Sequence, residues 1–107
     1  MKLGIILSTN NTETNWNAFR LANLALSKGD TVSIFLVGGG VEYGQTSSSK
    51  FNIKEQVKKF LQSDRARIFA CGTCLAMRKQ ESGKECPEAE LEDLYRLIAD
   101  NDKVLTF

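Results

Sequence analysis

Apolar residues come in two patterns along this chain. Lys2-Leu3-Gly4-Ile5-Ile6-Leu7-Ser8, Thr31–Val37 and Arg67–Ala70 are short runs in which almost every position is apolar. A continuous run, rather than an alternating one, predicts a strand covered on both faces, as in a parallel sheet. Lys103–Phe107 closes the chain as another strand. Between the runs the spacing is helical. Trp16, Phe19, Ala22, Ala25 and Leu26 recur at three- and four-residue steps, and Lys28-Gly29 closes that helix. Ile53, Val57, Phe60 and Leu61 predict a second helix ending near Gln62. Leu75 to Lys79 is a short third one, broken by Gly83. Pro87 suits the first position of a fourth, with Glu88 and Glu90 in its acidic first turn and Leu91, Leu94, Tyr95 and Ile98 as its apolar face.

The resulting order, β-α-β-α-β-α-α-β, predicts an α/β protein. Crossover helices on both faces of a mainly parallel sheet make a three-layer α/β/α sandwich. Reaction sites in such sheets lie beyond the carboxyl ends of the strands. Three segments converge there: Ser8–Asn15, Gly38–Lys50 and Cys71–Cys74. Within the second, the Ser- and Gly-rich stretch from Gly44 to Lys50 is the least structured part expected. Leu21 and Leu24 fall off the first helix's apolar stripe, and Leu97 falls off the last one's. Apolar residues on a second side predict self-association.

Composition narrows the function. The 107 residues carry 42% hydrophobic and 25% charged residues, a net charge of +1 and no His. Near-neutrality argues against direct nucleic-acid binding. The absence of His removes Ser-His-Asp and Cys-His pairs and every His-containing metal site. No run approaches the roughly 20 residues of a membrane span. No signal peptide is recognisable, and the odd count of three cysteines suits a cytoplasmic protein.

Cys71 stands where an apolar strand ends and a helix begins, beside unpaired backbone N–H groups that favour a thiolate. Cys71 is therefore expected to be the more acidic thiol, able to form a disulfide with Cys74. Gly72 permits a tight turn there, and Thr73 completes the Cys71-Gly72-Thr73-Cys74 motif. Arg78, four residues past Cys74, adds positive potential on the same side. A thioredoxin-type reading fits poorly, because the motif follows the third strand and the chain's one proline is Pro87. Cys71, Cys74 and Cys86 are too few for zinc without another ligand, so no metal and no cofactor are expected. Cys86 is either a neighbour of a helix start or a resolving thiol on a loop. Gly39 and Gly40 of the Gly-rich strand end, with Asn10 of the first loop, are candidate pocket residues, although Gly38-Gly39-Gly40-Val41 matches no nucleotide motif. Trp16 reads as core or interface packing.

Four segments resemble the DsrE/DsrF/TusD-like family of small intracellular sulfur-transfer proteins. They are Lys2–Ser8 with its polar loop and helix, the second strand running into Gly38-Gly39-Gly40-Val41, Ile68-Phe69-Ala70-Cys71-Gly72-Thr73-Cys74-Leu75, and Leu91-Glu92-Asp93-Leu94-Tyr95 leading into Asp102–Phe107. The resemblance implies one DsrE-like, flavodoxin-like domain over residues 1–107. It also implies a homo-oligomer (dimer, trimer or hexamer) and a protein sulfur donor and acceptor. Relay members carry sulfane sulfur as a persulfide on one Cys after the third strand, which by position is Cys71. Cys74 is an addition relative to those subunits. The leading expectation is thus a cytoplasmic sulfur carrier of sulfurtransferase type. The alternatives are a dithiol–disulfide protein using Cys71 and Cys74, or a non-catalytic oligomeric binding module.

Overall fold

A computed structural model describes residues 1–45, 47–81, 83 and 86–107. Thr46 of the Gly44–Lys50 loop therefore lies outside the described residues. The strands are β1 (Lys2–Leu7), β2 (Thr31–Leu36), β3 (Ala66–Cys71), β4 (Glu88–Ala89) and β5 (Lys103–Thr106). The helices are α1 (Thr12–Ser27), α2 (Ile53–Phe60), α3 (Gly72–Met77) and α4 (Leu91–Asp100), with a 3-10 turn at Gly38–Glu42. Among the described residues the sheet has five strands in the order β4-β3-β2-β1-β5, every neighbouring pair parallel. The α/β reading holds, and the mainly parallel sheet is parallel throughout.

Alternation along the strands explains the continuous runs. Leu3, Ile5, Leu7, Ile34, Leu36, Ile68 and Ala70 join one core with Ala18, Phe19, Ala22 and Leu26 of α1 and Ile53, Val57 and Phe60 of α2. Ile6, Phe35, Val37 and Phe69 point the other way, to Leu94 and Leu97 of α4. With both sides covered, neither parity of residue needs to be polar.

Several boundaries differ from expectation. α1 starts at Thr12, four residues before Trp16, because the Asn11 side chain accepts the Thr14 N–H at 2.9 Å and caps a polar first turn. A 3-10 turn follows directly on β2, where only a loop was expected. α3 begins at Gly72 rather than Leu75 and ends before Lys79, whose φ of 53° stops it well ahead of Gly83. Pro87 opens no helix. Its carbonyl accepts the Ala70 N–H at 3.0 Å, and Glu88-Ala89 then pair with Ala70-Cys71 as an edge strand, where a missing N–H costs nothing. The last helix begins later, at Leu91, with a capping box between Glu90 and Asp93.

The face of α4 is also reversed. Leu97 is 6% exposed, whereas Leu91, Tyr95 and Ile98 are 77%, 72% and 50% exposed. Leu97 lands on Gly4, where an added Cβ would come within 2.7 Å of its Cδ2. A glycine in mid-strand lets the helix approach, and that contact selects the stripe. Leu21 and Leu24 of α1 are exposed as expected, at 38% and 52%.

Candidate functional site

The carboxyl ends of β1, β2 and β3 bring the three anticipated segments to one edge. Cys71 ends β3 and is the N-cap of α3, its Sγ accepting the Cys74 backbone N–H at 3.4 Å. Cys74, one turn on, accepts the backbone N–H of Gly38 at 3.1 Å on its own Sγ. Gly38 supplies that donor from a φ of 55°, a left-handed conformation that suits glycine. Arg78 caps the end of α3. Its Nη1 donates to the Cys74 carbonyl at 3.2 Å, and its Nε pairs with Glu42 Oε1 at 3.0 Å. The 3-10 turn after β2 and the helix after β3 are thereby joined around one sulfur.

Each anticipated residue has a place. Gly72 is needed where it stands, since a Cβ there would lie 2.5 Å from the Glu88 carboxylate. Thr73 is exposed on the first turn, its backbone N–H facing the Cys71 sulfur. Gly39 and Gly40 turn toward β1 instead of toward the thiols. A Cβ on Gly40 would meet the Leu7 carbonyl oxygen at 2.0 Å, and one on Gly39 would come within 3.2 Å of the Asn10 backbone nitrogen. Asn10 is exposed beside that turn. The structure thus groups Cys71, Gly72, Thr73, Cys74 and Arg78, and sets Gly39, Gly40 and Asn10 to one side as the seat of the turn.

Three participants escaped the sequence reading: Gly38 as a donor, Glu42 as the partner of Arg78, and Glu88 beside Gly72. The first two lie 36 residues from their contacts, and only tertiary structure joins them. The one local signal was Gly38 itself, the first glycine after a strand.

All three cysteines are free, and Cys86 is buried. Its Sγ lies 3.3 Å from the Tyr43 hydroxyl, inside the core beneath α1. Cys86 is therefore neither next to a helix start nor at the surface. Its neighbours Lys84 and Glu85 lie outside the described residues. Trp16 is half-buried, edge-on to Phe51 at 5.3 Å, with the Arg20 guanidinium 4.3 Å above its ring.

The acidity order is the opposite of expectation. Burial pushes the Cys71 thiol up, and so does the hydrogen bond it gives to Cys74. Burial also opposes ionisation of Cys74. It is outweighed by the Cys71 S–H, the Gly38 N–H and the Arg78 charge, so Cys74 lies below the ordinary thiol value. Proximity to a helix start favoured Cys71, but donors from a second loop favour Cys74.

A groove of about 390 Å³ opens beside the pair, lined by Gly72, Leu75, Ala76, Gln80, Glu81 and Glu88. A larger cleft of about 510 Å³ lies toward the opposite end of the sheet, around Lys2, Thr31 and Arg67 near the starts of their strands, and its described lining holds no cysteine. Among the described residues no cluster of three or more Cys, Asp or Glu is arranged to hold a metal ion. No helix among them is long and apolar enough to cross a membrane.

The comparisons with known proteins agree with this architecture. The family model described as "DsrE/DsrF-like family" matches residues 1–107. A crystal structure of the ychN protein from E. coli superposes with a TM-score of 0.82 at 22% identity, covering 100% of both chains. At that identity the likeness concerns the fold. No curated protein matches the chain.

Proposed function

The chain belongs to the DsrE/DsrF-like family, which is associated with sulfur relay through partner proteins; from that premise we propose that it carries sulfane sulfur as a persulfide on its Cys71–Cys74 pair and passes it to a partner thiol. The supporting observation is the thiol pair itself, half-buried at the carboxyl edge of the sheet and hydrogen-bonded to the turn after β2. Cys71 holds the position that the family resemblance marks for the carrier, and Cys74 adds a second, more acidic sulfur. Free thiols need a reducing compartment, so the proposal includes a cytoplasmic setting. The test is intact-mass analysis after incubation with a small persulfide donor. A gain of one sulfur atom is expected on the peptide holding Cys71 and Cys74, and none in a variant with both changed to Ser. No gain, or a gain confined to Cys86, defeats the reading.

The hydrogen bond from Cys71 to Cys74 also favours a second reading, dithiol–disulfide exchange, because it holds the two sulfurs together. Single serine variants separate the two. A relay needs only its carrier thiol and survives the loss of the other, whereas an exchange reaction needs both.

Self-association through α4 is part of the proposal. Leu91, Tyr95 and Ile98 form an apolar stripe facing outward. Beside it, Arg67, Arg96, Asp93 and Asp100 line the larger cleft with both signs of charge. An apolar stripe flanked by both signs can complement a second copy of itself.

A further inference from the structure

We infer that Cys74, and not Cys71, is the thiol that attacks the sulfur donor, and that Glu42 is a positioning residue that holds Arg78 against it. The inference rests on the sulfur-carrier reading for its biological use, but its geometry stands alone. Three groups meet at Cys74. The Gly38 N–H points at its sulfur at 3.1 Å, Arg78 clasps its carbonyl at 3.2 Å, and Glu42 fixes Arg78 at 3.0 Å. Cys71, by contrast, meets only donors from the start of its own helix, the Cys74 backbone N–H at 3.4 Å and the Thr73 N–H, with no group from a second loop and no cation among the groups that act on it.

The Gly38 donor is held by packing. Gly40, two residues on, sits where any side chain would strike the Leu7 carbonyl, so the end of β1 fixes the turn. A preorganised N–H aimed at a sulfur stabilises its thiolate without reorganisation. The groups that bear on Cys74 are Arg78 and Cys71, with Glu42 behind Arg78 and the Glu88 carboxylate beyond Gly72. Tyr43 and Cys86 pair with one another in the adjoining core.

The step balances without an oxidant. The Cys74 thiolate attacks the terminal sulfur of a donor R–S–SH. A bond forms between the Cys74 sulfur and that terminal sulfur, the donor's own sulfur–sulfur bond breaks, and RS⁻ leaves to take a proton from water. The product is Cys74–S–SH. A partner thiolate then attacks the outer sulfur, and the Cys74 thiolate departs. A thiolate stabilised by Gly38 and Arg78 is the better leaving group as well, since a lower pKa speeds departure.

The test needs no sulfur donor, so its failure is separable from failure of the carrier reading. Ultraviolet thiolate absorbance is titrated in Cys71→Ser/Cys86→Ser, which keeps Cys74, and in Cys74→Ser/Cys86→Ser, which keeps Cys71. Cys74 is expected to ionise at the lower pH. Site-resolved iodoacetamide labelling of the unaltered protein reads the same order without any substitution. Arg78→Gln is expected to lower the neutral-pH labelling rate of Cys74 a few-fold by shifting its pH midpoint upward while leaving Cys71 in place, and the same change is expected to have a smaller effect in a Glu42→Leu background, where nothing holds the guanidinium. A Glu42→Asp background should restore part of it. Cys71 ionising first overturns the assignment of the attacking thiol. An Arg78→Gln effect on the Cys74 midpoint that is the same with and without Glu42 overturns the positioning role, because a positioning residue acts only through the group it holds.

Discussion

On one face of the sheet, α1 and α2 bury Phe19, Phe60 and Ile53 completely, and the rings of Phe19 and Phe60 meet edge-on at 5.9 Å. On the other, among the described residues, α4 lies alone and leaves Phe69, Val104 and Ile6 only partly covered. The two sulfurs of the candidate site divide along the same line. Cys74 packs against the closed core and Cys71 against the open one. A dry, fully packed face holds donors at fixed distances, which is what a stabilised thiolate needs. A half-covered face keeps its contacts for something that arrives later. The closed face holds the groups that tune the proposed site, and the open face is the surface proposed for a second copy.

Removing a ring from each face tests this most severely. Phe60→Ala should cost about 3–5 kcal/mol by denaturant unfolding, because its cavity is enclosed by two helices and the sheet. Tyr95→Ala, measured on dilute protein, should change stability by no more than about 0.5 kcal/mol, as its ring is already in water. Equal losses would erase the distinction between the faces. The glycines offer a finer contrast. Gly40→Ala sets a methyl 2.0 Å from a backbone oxygen that cannot yield, and about 3 kcal/mol is expected. Gly4→Ala strikes the tip of Leu97, which can rotate, and touches Asn101 at an ordinary 3.4 Å, so about 1 kcal/mol should suffice.

The open face is also where assembly should be lost. Tyr95→Glu places a charge in the middle of the Leu91–Tyr95–Ile98 stripe, and burying an unpaired charge at an interface is costly. Light scattering should show an assembly for the unaltered protein and a shift toward monomer for the variant, a loss of about 2 kcal/mol of association energy. A unaltered chain that scatters as a monomer at high concentration removes this part of the proposal.

The strands were legible because burial on both sides makes them continuous. Ile5 and Leu7 serve one face, Ile6 the other, and the run shows no gap. α4 was legible as a helix but not in orientation. Leu91, Tyr95 and Ile98 keep helical spacing as well as Leu94 and Leu97 do, and only the notch at Gly4 decides between them. β4 left no trace, since Glu88-Ala89 becomes a strand solely through its pairing with β3. At the site, the spacing of Cys71 and Cys74 was local and therefore readable. Their order of acidity was not, because Gly38 is separated from Cys74 by most of a crossover and its N–H is a tertiary gift.

The smallest expected effect concerns the third thiol. Cys86 is buried and its sulfur lies 3.3 Å from the Tyr43 hydroxyl, on the closed side of the sheet. Sulfur is a weak hydrogen-bonding partner, so Tyr43→Phe should cost only about 0.5 kcal/mol, at the low end for such a contact. The ring remains, still packed 5.7 Å from Phe19, and no cavity opens. Labelling of Cys86 should then stay slow in both proteins and accelerate only under unfolding conditions, because its protection comes from burial rather than from the hydroxyl. Fast native-state labelling of Cys86 in the Tyr43→Phe variant would mean that the hydroxyl itself keeps this part of the closed face shut. The contrast between the faces would then rest on one hydrogen bond and not on packing.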